Sequence, residues 1–225
     1  MRASRAVTAA IELWDNREMT DAIVKILLAY AAGSIMGSLL LGRFRALDIR
    51  NMGSGNAGAT NALRSGGKLF ALGVMIIDVG KGALAAGVVP GLALGLGASP
   101  AWLPFACGGA AVFGHCYPLF HGFRGGKGAA TLVGTFLVFA PILVVPLLAV
   151  WVATILVIGF VGLATMITAH AAWVIIAAFW LPEQNALFVY ALVMACFIVF
   201  THRSNITRMR EGTESRLGQL SVFRK

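Results

Sequence analysis

Acidic residues are scarce in this sequence, with 9 Asp and Glu among 225 residues, and charged residues of either sign reach only 12%. A soluble domain carries about 25% charged residues, so a water-facing shell around a core of this composition is excluded. Disorder is excluded by the same scarcity, because disordered chains combine low hydrophobicity with high net charge. Cysteine is scarce too. Cys107, Cys116 and Cys196 are odd in number and sit inside apolar runs, which excludes a secreted disulfide framework. With so few carboxylates, a Mg²⁺ site lacks its ordinary ligands. His115, His121 and His202 have no Cys or acidic neighbour at zinc-ligand spacing. No metal and no cofactor is expected.

What is abundant is apolar side chain, at 59%, together with 27 glycines. The mean hydropathy of +0.84 points to a polytopic, all-α membrane protein. Apolar stretches run over 22–42, 69–94, 101–120, 128–141, 143–164, 165–181 and 186–201. The first three match the roughly 17–25 residues a spanning helix needs. The block 128–181 has no charged residue, and Pro141, Pro146 and Gly159/Gly162 are its candidate breaks. Residues 1–21 form a slightly acidic tail without the order of a signal peptide.

The net charge of +9 would suggest nucleic acid in a soluble chain. Here, however, thirteen of the 18 basic residues fall in three segments: Arg43–Lys68, Arg124–Lys127 and Arg203–Lys225. The positive-inside rule explains them without a nucleic-acid partner. Placing all three in the cytoplasm requires seven transmembrane helices, with the N-terminus outside and the C-terminus cytoplasmic. This predicts a single transmembrane domain over 22–202, cytoplasmic-face loops at 44–68 and 115–131, and a basic tail at 203–225. Gly33 with Gly37 and Ser34 with Ser38 recur at helical spacing in the first span and read as packing positions.

Four polar constellations carry the chemistry. Asp48 to Asn61 reads DIRNMGSGNAGATN, followed by Arg64. Gly53, Gly55 and Gly58 permit close backbone approach, and successive amides in such a loop can form an anion nest. Ser54, Asn56, Thr60 and Asn61 add neutral donors, and Arg64 adds a phosphate-matching fork. A plain interhelical linker is the competing reading, disfavoured by the tight alternation of Gly with Ser and Asn.

The second constellation, His115 to Thr131, contains Gly125-Gly126-Lys127-Gly128. It is not a G-x-x-x-x-G-K-[ST] loop, since His121 stands at the first Gly and Gly128 at the hydroxyl position. Glycine amides, Lys127 and the following helix N-terminus would still attract an anion, although Arg124 and Lys127 could equally be a basic membrane anchor. His202, Arg203 and Asn205 form the third, continuing through Arg208, Arg210, Glu211 and Glu214, with His202 and Asn205 on one face if the helix continues. Asp78 and Lys81 form the fourth, on one face of the second span, where a structural ion pair or support for the loop is expected. A Ser nucleophile motif is missing around Ser54. An H-x4-D pattern is missing too, because His115 leads to Phe120 and His202 to Thr207.

The stretches at 33–68, 78–82 (DVGKG), 114–131 and 202–215 together resemble the bacterial acyl-phosphate:glycerol-3-phosphate acyltransferase family, the PlsY type. GSGNAGATN combined with GGKG and HRSNI is specific, and the likeness covers nearly the whole chain beyond residue 20. The departures are the N-terminal tail, His121-Gly122, and Arg216 after the last Glu-Ser pair; none removes a polar residue from the motifs. The resemblance implies acyl transfer from acyl phosphate to the sn-1 hydroxyl of glycerol 3-phosphate, in the bacterial inner membrane and on its cytoplasmic side. It also implies coupling to an enzyme that produces acyl phosphate.

By motif match, Ser54, Arg64, Lys127, His202 and Asn205 would hold glycerol 3-phosphate, with Thr60, Asn61 and Arg203 beside them. Gly53, Gly55, Asn56 and the Gly125 and Gly126 amides would cradle acyl phosphate, and His115 would orient the loop or assist proton transfer. Two rivals compete. An organophosphate transporter would place its anion groups at the bilayer midplane, and a nucleotide-dependent head-group transferase would need a carboxylate-held metal.

Overall fold

The computed structural model describes residues 16–94 and 99–217. Helix α1 (Asn16–Gly33) stops at a short break, and α2 (Gly37–Arg43) leaves it at a 50° bend. The predicted first span of 22–42 is therefore two helices. The predicted tail is shortened as well, since its last six residues open α1 and residues 1–15 lie outside the described part. A short turn at Ile49–Asn51 and α3 (Ala59–Gly66) lead into α4 (Lys68–Gly87), then α5 (Leu103–Cys116). Most of the predicted connection at 95–100 lies outside the described residues.

The uncharged block divides into α6 (Ala129–Phe139), α7 (Pro141–Ile158) and α8 (Val161–Phe179). Pro141 opens α7 at a position where its missing N–H costs no helical bond. Gly159 closes α7 with φ at +83°, a conformation that glycine adopts without strain. The second break thus falls at 159–160, not at 164–165 as the apolar stretches suggested, and Pro146 and Gly162 lie inside helices. Helix α9 (Asn185–Thr201) and the polar α10 (Arg203–Arg210) meet at His202 with a 52° bend.

Among the described residues, four helices are long and apolar enough to cross a membrane, or six spans if each bent pair counts as one. Helix α6, at 11 residues, is shorter than a span of about 17–25. The described chain is all-helical.

Packing depends on small residues, because lipid offers no hydrophobic force between helices. On α4 and α6, a Cβ at Gly82 would strike the Thr131 carbonyl and one at Gly134 the Val79 carbonyl. Between α1 and α5, a Cβ at Gly33 would strike Ala111 and one at Gly114 the Tyr30 carbonyl. The larger core lies among α5 to α9, where Phe136, Leu143, Ile176 and Ile198 are buried. There the Tyr190 hydroxyl donates to Thr135 Oγ1 at 2.8 Å. Of the two predicted packing serines, Ser34 Oγ donates to Tyr30 O and accepts the Leu119 N–H. Ser38 Oγ donates to Ala57 O at 2.6 Å. Both serines therefore tether the loops that form one end of the bundle.

Candidate active site

Three chain segments meet at that end, and the strand of loop at 122–128 joins them. Ala57 N–H reaches Gly125 O at 3.5 Å, and the Arg50 guanidinium donates to His121 O at 3.2 Å, tying the first loop to the second. Thr201 Oγ1 donates to Lys127 O at 3.0 Å, tying the second to the end of α9.

The first loop is organised from within. Asn61, 1% exposed, donates from Nδ2 to Ile49 O and Met52 O, and its Oδ1 accepts the Ser54 N–H at 3.0 Å. Expected as a substrate donor, Asn61 instead holds the loop in shape. Gly53 sits against it with φ at +56°, where a Cβ would strike Asn61 Oδ1. The Gly55 N–H closes a turn on Met52 O. Ser54 remains exposed at the loop tip, and Arg64 is exposed on α3. At the loop's start Asp48 takes a two-pronged bond from Arg50, which holds its carboxyl below the ordinary range, with Arg124 adding to the effect.

The amides of Gly125 and Gly126, expected to face an anion, donate to Cys116 O at 3.2 Å and His115 O at 3.0 Å. They cap the last carbonyls of α5, which would otherwise be orphaned. What these glycines supply is the absence of a side chain: a Cβ on Gly125 would strike His115 O, and one on Gly126 the His115 imidazole. His115 is 2% exposed and lies beneath the loop.

Lys127 is the loop's cation. Its Nζ donates to Asn205 Oδ1, Asn205 Nδ2 donates to Glu214 Oε1 at 2.7 Å, and Arg208 Nε donates to Glu214 Oε2 at 2.6 Å. The carboxylate thereby orients the Asn205 amide so that its oxygen faces Lys127. Arg208 and Glu214 continue the third constellation in sequence without a substrate role there, and their link to Asn205 is made by the turn after α10. Burial lowers the Lys127 pKa to about 8, reinforced by Arg208 and Arg64 and opposed by Glu214. The field at Lys127 is therefore net positive, with two arginines against one carboxylate.

His202 and Asn205, predicted to share a face, are both buried beside this chain of bonds. His202 Nδ1 faces Ile198 O at 2.8 Å, and a carbonyl only accepts, so Nδ1 carries the proton and Nε2 the lone pair of the neutral ring. Arg203 turns away, lying exposed over the Phe200 ring at 4.6 Å and donating to Phe200 O.

Asp78 and Lys81 lie beneath the loops. Asp78 Oδ1 is 3.0 Å from Lys81 Nζ, 3.5 Å from His115 Nδ1 and 3.3 Å from the Gly37 N–H. Lys81 Nζ also donates to Ile35 O at 2.6 Å. The pair thus satisfies backbone groups freed by the α1–α2 break, as a membrane interior demands. Among the described residues no group of three His, Cys, Asp or Glu side chains is placed to hold a metal ion.

Apolar helices carrying a cation-rich loop cluster at one end define an integral membrane enzyme acting on an anionic substrate. The glycerol-3-phosphate acyltransferase family matches residues 23–212. A glycerol-3-phosphate acyltransferase of Thermoanaerobacter pseudethanolicus is 42% identical over 200 residues, 88% of this chain and 96% of that protein. One of Thermus thermophilus is 41% identical over 201 residues, 89% and 98% of the two chains. The crystal structure of PlsY, an integral membrane glycerol 3-phosphate acyltransferase, in its glycerol 3-phosphate form has a TM-score of 0.78 at 33% identity. That match covers 91% of this chain and 99% of the other. The lysophosphatidic acid form matches equally, at 0.78 and 32%. The chain belongs to the PlsY-type glycerol-3-phosphate acyltransferase family.

Proposed function

We propose that the enzyme takes its acyl group from acyl phosphate and transfers it to the sn-1 hydroxyl of glycerol 3-phosphate, releasing 1-acylglycerol 3-phosphate and inorganic phosphate. The observation that carries this reading is the cation cluster of Lys127, Arg64 and Arg208, opposed by Glu214. Both proposed substrates bring phosphate to it. Glycerol 3-phosphate is held by Ser54, Arg64, Lys127, His202 and Asn205, with Thr60 beside them. Acyl phosphate lies along Gly53, Gly55 and Asn56, its chain entering from the bilayer between helices. Arg203, stacked on Phe200, has no part in this assignment.

Acyl phosphate is an activated mixed anhydride, so no covalent enzyme intermediate is needed. The hydroxyl oxygen bonds to the carbonyl carbon, the carbon–oxygen bond to phosphate breaks, and phosphate leaves with the electron pair and takes up the hydroxyl proton. The protein's contribution is positioning and stabilisation of the charge that develops on the carbonyl oxygen and the leaving phosphate. Lys127 supplies that charge, and His202 Nε2, as a lone-pair acceptor, orients the attacking hydroxyl.

The same reading places the three basic segments in the cytoplasm, with α6 as the short fourth of seven crossings and the protein in the inner membrane. An acyl-phosphate-producing enzyme then supplies the donor from the cytoplasmic side. Detergent-purified protein, given glycerol 3-phosphate in EDTA with acyl phosphate, acyl-coenzyme A or acyl carrier protein in parallel, tests the donor. Product with acyl phosphate alone is expected. Product with a thioester alone overturns the donor, and uptake into liposomes without product favours transport.

A further inference from the structure

The Asp78 cluster is more than a structural ion pair, because of where its third member points. The His115 imidazole stands between two neighbours. On one side is Asp78 Oδ1, 3.5 Å from Nδ1. On the other is Gly126, so close that a Cβ there would collide with the imidazole at Nε2. The Gly126 N–H also bonds to the His115 carbonyl at 3.0 Å. Lys127 is the next residue. Any displacement of the imidazole is therefore transmitted through one backbone unit to the cation of the site.

Asp78 is in turn fixed by three groups from other places: Lys81 on its own helix, the Gly37 N–H at the start of α2, and His115 at the end of α5. All three of Asp78, Lys81 and His115 are at most 5% exposed. Groups this buried and this well packed have one arrangement available to them.

We propose that Asp78 is a positioning residue for glycerol 3-phosphate: through the His115 imidazole it sets the height of the Gly125–Gly128 loop and so places Lys127 against the substrate phosphate. Asp78 does not touch substrate. It acts by standing 3.5 Å from Nδ1, against the edge of the ring opposite Gly126, so that the packed imidazole has one place available to it. This rests on the assignment of Lys127 to the phosphate.

The test is a double-mutant cycle read as glycerol 3-phosphate affinity by calorimetry, with no acyl donor present, so that the donor's identity does not enter. Asp78→Asn is expected to weaken binding about tenfold or more in the wild-type background. In His115→Ala it is expected to change binding less than threefold, because the intermediary is gone. Equal factors in both backgrounds overturn the proposal, since a purely structural carboxylate acts regardless of His115. If Asp78→Asn does not fold, the cycle is run with Asp78→Asn/Lys81→Met, which removes both buried charges together. Gly126→Ala supplies an independent arm: its loss of affinity is expected to be partly rescued by His115→Ala, and no rescue counts against contact through the imidazole. Lys127→Ala is titrated alongside. Wild-type affinity there overturns the Lys127 assignment and the positioning role with it, whereas coupling can fail while Lys127→Ala still binds poorly.

Discussion

Among the described residues two Asp–Lys pairs are buried, and they lie in different settings. On α1, Asp21 and Lys25 are 2.7 Å apart and 1% and 3% exposed at their side chains. Lys25 donates to Ser99 Oγ at 2.6 Å, and that hydroxyl reaches Pro90 O at 3.0 Å. Ser99 Oγ also donates to Asp21 Oδ2 at 3.2 Å, so the pair fastens the connection after α4 to the first helix. On α4, Asp78 and Lys81 instead bond to the break between α1 and α2, and Asp78 Oδ1 stands 3.5 Å from the histidine under the lysine loop. The chemistry of the two pairs is the same. What differs is what they hold, and that decides which one matters to substrate.

The largest effect is expected from the cation that the second pair supports. Lys127→Ala should lower turnover by about 10²–10³-fold, the scale of a lost transition-state donor, or about 3–4 kcal/mol, measured as phosphate release from acyl phosphate. Near-normal turnover would sink the anion site. Next come the pairs themselves. Asp21→Asn and Asp78→Asn each strand a buried ammonium and should cost about 3–5 kcal/mol of stability, read as a lowered Tm in detergent. Only Asp78→Asn should also weaken glycerol 3-phosphate binding; if Asp21→Asn does so equally, the contrast between the pairs fails. Asp21→Asn/Lys25→Met, which removes both charges, should restore most of the Tm.

Smaller effects sharpen the picture at the site. Lys127 is pulled down to about 8 by burial and by Arg208, so kcat/KM should fall as pH rises through about 8 and the ammonium loses its proton. Stability should move the other way. The unfolded chain keeps the ordinary lysine pKa of about 10.4 and binds more protons between pH 8 and that value, so the folded state gains as pH rises there. A flat rate profile to pH 10 would show that another group sets the charge. The least effect, under threefold in kcat/KM, is expected for Arg203→Ala, since its guanidinium lies on Phe200. A tenfold loss would return Arg203 to the site.

Much was legible along the chain. Apolar runs marked the helices because each must cross or line a nonpolar layer, and Pro141 and Gly159 marked breaks because one lacks an N–H and the other tolerates positive φ. Asp78 and Lys81 were readable as a pair from i, i+3 spacing. The break at 34–36 was not, because no residue there forbids a helix. It is stabilised by Lys81 and Asp78, which lie more than 40 residues away and satisfy Ile35 O and the Gly37 N–H. The Asn61 and Gly125–Gly126 roles were misread for a related reason: a donor's type is visible in sequence, but its partner is not. Helix α5 ends against the lysine loop and takes the amides that a free loop would have offered an anion.

By itself, then, the sequence determined the solvent, the helical class, the sites of concentrated polarity and the family, since these follow from composition, period and motif order. The tertiary structure alone decided which donors stay free and which hold the scaffold. It buried His115 under Gly126, oriented Asn205 through Glu214 and turned Arg203 outward. Each of those outcomes depends on groups brought together from distant parts of the chain in a low-dielectric interior, where a polar atom must find a partner and the nearest one in space takes it.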